Sequence, residues 1–207
     1  MAGRTEAGHW YDGPVYAAVV DRMLDGVRNY VAGHLPAGER VLDACCGTGA
    51  LSRRLAEDGR TVVGVDLSAR HIRYARSHAG SSSARFRVGD VAELTVPSAG
   101  PYDVATIVLA LHEMPRELRG PVLDRLLAVA RRVMVVDFVA PMPRNVAGLR
   151  NRATELAAGW EHFAAFRDWQ AQLGLGALLE RTGATVESDR TIDAGTLRVL
   201  TLAPRGA

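Results

Sequence analysis

Lysine is absent from this 207-residue sequence; all 25 basic residues are arginine. A phosphate-binding loop of the Walker type, which needs a lysine to reach the phosphates, is therefore excluded. Isoleucine occurs only at Ile72, Ile107 and Ile192, while Ala, Gly and Arg abound, as in a protein encoded by a GC-rich genome. The net charge is only +2, and arginine pairs such as Arg53-Arg54 and Arg131-Arg132 are scattered. A nucleic-acid binder concentrates its basic residues in a stripe, so no nucleic-acid partner is expected.

Cysteine is nearly absent as well: Cys45 and Cys46 are the only two, and they are neighbours. Adjacent cysteines close a strained ring and rarely bridge. Two thiols also fall short of a structural zinc set, so the pair reads as small residues in a tight turn, and no metal is expected. No apolar run approaches the ~20 residues of a membrane span, and the N-terminal segment lacks a hydrophobic signal core. The expectation is a soluble, cytoplasmic protein. Hydrophobic residues make up 48% and charged residues 23%, which suits one globular domain hiding roughly 70% of its unfolded surface.

The apolar period switches repeatedly along the chain. Val15, Val19, Met23, Val27 and Val31 recur every four residues behind Pro14, which predicts an N-terminal cap helix within residues 1–33. Short apolar strands are expected at Val41-Leu42, at 61–65, at 85–88, at 102–109 and at 133–138. Helices alternate with them, and Ser68 is a helix cap. Continuous apolar strands alternating with helices predict a parallel sheet covered on both faces. Residues 141–182 form an aromatic-rich segment, in which Phe163, Phe166, Trp169 and Leu173 share a helical spacing that reads first as core and second as a pocket wall. Two late strands, at 185–188 and 196–202, close the chain.

The chemistry concentrates in Val41-Leu42-Asp43-Ala44-Cys45-Cys46-Gly47-Thr48-Gly49, where a strand ends in a glycine turn that opens a helix. Such a turn offers backbone N–H groups to a ligand, and Gly47 and Gly49 permit close backbone approach. The pattern lacks the third glycine of the pyrophosphate fingerprint. VLDACCGTG resembles the first motif of the class I S-adenosylmethionine-dependent methyltransferases, VLDxGCGTG, with Cys45 in place of the usual Gly or Ala. VVGVDLS, FRVGDVAEL, YDVATIVLALHEMP and VMVVDF are similar to that family's later motifs, in order, over residues 38–138.

The resemblance implies a single α/β domain with a Rossmann-like seven-stranded sheet, helices on both faces and a C-terminal antiparallel β pair (185–203). Its cofactor would be S-adenosylmethionine and its acceptor a small molecule. The alternatives are an RNA or protein methyltransferase and a non-catalytic cofactor-binding module.

Asp66 would accept from the ribose hydroxyls, or else serve as a carboxylate at a helix start. Asp90 would accept from the adenine amino group, with the Val91 N–H on a ring nitrogen, or else be a turn aspartate. Asp43, with the backbone of Ala44, Cys45 and Gly47, would lie under the methionine portion; Asp43 also suits an ordering role in the loop. Leu67, Leu109 and Gly49 complete the cofactor set, and Tyr11 either closes over the cofactor or is a surface aromatic. His112 is the candidate base for a hydroxyl acceptor, titrating near the ordinary imidazole value of about 6.5. It reads alternatively as a packing residue, and Glu113 is a weak candidate for orienting it. The 141–182 segment would provide substrate-side helices or a lid.

Overall fold

The computed structural model describes residues 14–206, with side chains described from residue 24 onward. Among the described residues the chain builds one seven-stranded sheet and seven α-helices. The strands are β1 (Arg40–Ala44), β2 (Thr61–Asp66), β3 (Arg85–Val88), β4 (Val104–Val108), β5 (Val133–Phe138), β6 (Thr185–Ile192) and β7 (Leu197–Ala203). The helices are α1 (Pro14–His34), α2 (Ala50–Glu57), α3 (Ala69–Ser77), α4 (Arg116–Val129), α5 (Val146–Ala158), α6 (Trp160–Ala171) and α7 (Gly174–Thr182).

Sheet order is β3-β2-β1-β4-β5-β7-β6. The first five strands are parallel, β7 runs antiparallel to β5, and β6 antiparallel to β7. The chain winds outward from β1 to β3, then returns to β4 on the other side of β1. Right-handed crossovers consequently place helices on opposite faces, and all six residues of β5 are buried. Open sheets of this kind bind ligands where the winding reverses, outside the carboxyl ends of β1 and β4.

α1 buries Val27 and Val31 against the sheet core, and Leu35 joins them just past its end; the side chains of Val15, Val19 and Met23 lie outside the described part. At α3, Ser68 accepts a hydrogen bond from the His71 N–H, the cap that its position suggests. The fourth strand is shorter than its apolar run: Leu109 adopts a left-handed backbone (φ 51°), and Tyr102 makes only an isolated bridge to Ala130. β6 is longer than expected, reaching Ile192. As an exposed edge carrying Glu187, Asp189 and Arg190, it has no apolar alternation to mark its length. Phe166 and Trp169 are core, but Leu173 leaves their stripe. The α6 helix ends at Ala171, and Leu173 turns left-handed (φ 61°) and exposed to lead into α7. No helix of the described residues is long and apolar enough to cross a membrane.

Candidate active site

Two cavities meet at the carboxyl ends of β1, β4 and β5. The larger, about 470 Å³, is ringed by the turns after β1 to β4 and by α4. Cys45, Gly47, Asp66, Leu67, Asp90, Val91 and Leu109 all line it, although they come from four separate turns. Asp66 organises one rim: it accepts the Gly47 N–H (2.8 Å) and the Ser68 N–H (2.8 Å). Each carboxylate oxygen keeps a second lone pair, so both remain able to accept from hydroxyls. Asp90 accepts from the Ala92 N–H (2.8 Å) and starts the 3-10 turn Val91–Glu93.

Ala44, Asp43 and Gly49 are placed elsewhere. Asp43 is buried beneath the loop, accepting from the Ser52 hydroxyl (2.5 Å) and the Thr106 hydroxyl (3.0 Å), rather than from loop N–H groups. Burial pushes its carboxyl up to about 6 against the pull of those hydroxyls. Ala44 is fully buried in β1. Gly49 begins α2 with φ 75°, and a Cβ there would sit 2.5 Å from the Phe86 ring and 2.9 Å from Ala75 Cβ. Its glycine is required by packing, whereas the space beside Gly47 is open. Gly49→Ala should destabilise the protein by about 2–4 kcal/mol, from left-handed backbone plus overpacking. Gly47→Ala should cost only about 1 kcal/mol, from its backbone alone. Equal thermal shifts in the two variants would refute this division of labour. Tyr11 lies outside the described residues.

Cys45 sits at φ 56°, a conformation that explains why glycine suits this position. Both thiols are free, and burial pushes both above the ordinary thiol range, so they stay protonated rather than nucleophilic.

The smaller cavity, about 360 Å³, lies between α1, α5, β5 and the β6–β7 end of the sheet. Leu109 and Glu113 line both cavities and form their shared wall. His112 lines the second one. The ring is buried, and its Nδ1–H donates to Asp137 Oδ1 at 2.7 Å. Asp137 is itself fixed by the N–H groups of Leu111 (3.0 Å), His112 (3.2 Å) and Phe138 (2.7 Å). With Nδ1 committed as donor, a neutral ring carries its lone pair on Nε2, which has no hydrogen-bond partner. Burial opposes charging of this ring, but the carboxylates of Asp137, Glu155 and Glu113 outweigh it. They hold the imidazole pKa well above the ordinary 6.5.

Glu113 lies 3.8 Å from Nε2, the opposite nitrogen from the one Asp137 holds, so Asp137 is the residue that orients the ring. Its signal in the sequence is that it is the only charge in the strand VMVVDF. Glu155, 3.7 Å from Nε2, and Asn151 come from α5 and have no motif to announce them.

An open α/β sheet with a cavity at its winding reversal and carboxylates at the end of β2 and just after β3 defines a nucleotide-cofactor domain. Residues 41–134 match the family described as Methyltransferase domain. The matched segment is a little under half of the chain; with the sheet and the loop it covers, it is similar to the class I S-adenosylmethionine-dependent methyltransferases. It is 36% identical over 118 residues to a ubiquinone biosynthesis O-methyltransferase of Xanthomonas axonopodis pv. citri, covering 53% of this chain and 47% of that protein. A protein of the same description from Bordetella avium is 39% identical over 80 residues, 38% of this chain and 33% of that one. The chain spans about half the length, or less, of these curated relatives.

The fold is shared with magnesium protoporphyrin IX methyltransferase from Synechocystis PCC 6803 with bound SAH. The TM-score is 0.60 at 22% identity, covering 90% of this chain and 84% of that one. An S-adenosylmethionine-dependent methyltransferase from Mesorhizobium loti gives a TM-score of 0.60 at 20% identity, covering 87% and 100% respectively.

Proposed function

We propose that the chain is an enzyme that transfers the methyl group of S-adenosylmethionine to a hydroxyl of a small molecule held in the second cavity. The carrying observation is the buried His112–Asp137 pair, whose unpartnered Nε2 belongs to a residue lining a cavity that shares a wall with the cofactor cavity. The O-methyltransferase descriptions of the curated relatives agree with an oxygen acceptor.

The residues of the larger cavity suit the cofactor. Gly47 leaves open space beside its backbone, Asp66 has lone pairs for a ribose diol, and Asp90 with Val91 can meet an adenine edge. S-adenosylmethionine supplies, when bound, a methyl already activated by a sulfonium, so the chain's task is positioning and proton removal. Leu109 and Glu113 bring acceptor and cofactor sites into contact. His112 Nε2 accepts the hydroxyl proton, and Asp137 steadies the imidazolium that results. Of the 141–182 segment, α5 forms one wall of the acceptor side, while α6 sends His162 to the larger cavity.

The cofactor half of this reading is tested by Asp66→Asn. Calorimetry should show S-adenosylhomocysteine affinity falling by about 2 kcal/mol, roughly thirtyfold, because a charged acceptor of two hydrogen bonds is lost. Unchanged affinity in the folded variant would remove Asp66 from the ribose. A wild type that binds NAD more tightly than S-adenosylhomocysteine would remove the cofactor. Tight cofactor binding without S-adenosylhomocysteine formation from any hydroxylated acceptor would leave a binding module.

A further inference from the structure

The helix α5 inverts the usual amphipathic arrangement, in which the apolar stripe faces the core. It turns Gly148, Asn151, Glu155 and Ala158 inward, and Asn151 and Glu155 line the second cavity. Its exposed positions are Val146, Leu149, Arg150, Ala153, Leu156 and Ala157, all apolar except the arginine. Val146 is 86% exposed, Leu149 68% and Leu156 52%, and Trp160, just past the helix, is 70% exposed. A single exposed leucine needs no explanation, but a whole apolar helix face marks an interaction surface. Neither Leu149 nor Leu156 lines either cavity, so this face is distinct from both.

The charges along the helix point to its occupant. Arg144 precedes the N-terminal end of α5, where an anion is favoured, and the first turn holds no acidic residue. No basic residue occupies the last turn, where a cation is favoured, and Glu161 follows that end. A copy of the same helix lying antiparallel offsets this. Arg144 then falls beside the C-terminal end of the other helix, close to Glu161 of the partner subunit, and the reverse holds by symmetry.

We infer that the outer face of α5 docks a second copy of this chain, with the two α5 helices antiparallel about a two-fold axis at Ala153. A two-fold interface must be self-complementary, and this face is. Ala153 meets its own copy, where a small side chain lets the helices approach closely. Residues equally spaced on either side of it oppose one another. Leu149 meets Ala157, Leu156 covers the aliphatic stem of Arg150, and Val146 meets the end marked by Trp160. A bilayer surface fits less well. A helix lying among lipid headgroups offers them a basic polar face. Here the polar face is turned inward, and Arg150 is already paired with Asp193 at 2.7 Å. One helix pair is smaller than the ~800 Å² per partner of a standard interface, so the dissociation constant should be on the order of 1–100 μM.

The test reads mass and cross-links, so it stands apart from any turnover assay. Sedimentation equilibrium of the full chain should show a monomer at about 1 μM passing to a dimer by about 500 μM. Ala153→Glu sets two carboxylates against each other at the axis and should raise the dissociation constant at least about thirtyfold. Circular dichroism at low concentration checks that this variant is folded. The axis is tested independently by cysteine variants under diamide, against the wild type with its native thiols as background. Ala153→Cys should cross-link to a covalent dimer. Val146→Cys should not, because antiparallel pairing leaves the two copies of that position about 21 Å apart. A monomer at every concentration, a dimer unchanged in Ala153→Glu, or cross-linking of Val146→Cys in place of Ala153→Cys would overturn the inference. So would a monomer that binds phosphatidylglycerol vesicles and loses them in Ala153→Glu, which would give the face to a bilayer.

Discussion

His112→Gln is expected to retain S-adenosylhomocysteine affinity while kcat falls by about 10²–10⁴, the usual range for a lost general base. The loss should carry a pH signature. His112 acts only when neutral, and burial, which alone would favour the neutral ring, is outweighed here by Asp137, Glu155 and Glu113. Because the folded pKa lies above 6.5, the active fraction grows as pH rises through a value on the alkaline side of an ordinary imidazole. The wild-type kcat should therefore still be climbing beyond pH 7, and His112→Gln should lack that limb. Asp137→Asn removes the nearest carboxylate, so its limb should move toward acid while kcat drops. A His112→Gln rate within about threefold of wild type, with an unchanged profile, would make the histidine a packing residue.

Arg119→Met should cost about 3 kcal/mol of stability, which for a chain of this length lowers Tm by roughly 6–12 °C. Arg119 is buried in α4, and its guanidinium donates to the carbonyls of Leu111 (3.1 Å), Met114 (3.0 Å) and His112 (3.4 Å). It also stacks over Trp169 at 5.2 Å and pairs with Asp168 at 2.8 Å. Asp168 is substantially exposed, so that pair adds little. The cost comes from carbonyls left without donors at the turn that carries His112. Arg119→Lys keeps the charge but cannot fork to several carbonyls, so it should recover less than half of the loss. A methionine variant melting within about 2 °C of wild type would show that the turn holds itself. Activity should fall with stability, since the same carbonyls fix the approach of His112 to its cavity.

What the sequence made legible follows from how local each feature is. The first loop, Asp66 and Asp90 are each one turn after one strand, so short motifs carry them, and Asp66, Asp90 and their neighbours converge on one cavity. Cys45 marked itself as a departure, and its positive φ gives the reason. The roles of Gly47 and Gly49 were indistinguishable in one dimension. Only the Phe86 ring, contributed by β3, separates a glycine that leaves room from one that packs. Asp137, Glu155 and Arg119 depend on contacts 25, 43 and 49 residues apart in the chain, to His112, His112 and Asp168 respectively, and no periodicity encodes such distances. The edge strand β6 was under-read for the opposite reason: it has no buried face to impose a pattern.

The wall shared by Leu109 and Glu113 divides the chain's inheritance as well as its space. On one side the lining comes almost wholly from residues 45–122; on the other, most comes from α1 and from residues 138–197. The family match ends at residue 134, just short of that boundary. A genetic crossover between β5 and α5 would exchange seven of the fifteen residues that line the second cavity and leave the cofactor turns intact, with His112 and its carboxylate partner Asp137 both before the junction. Chimeras joined there are the natural route to new acceptors on this scaffold, and divergence after residue 138 should track acceptor choice rather than cofactor choice.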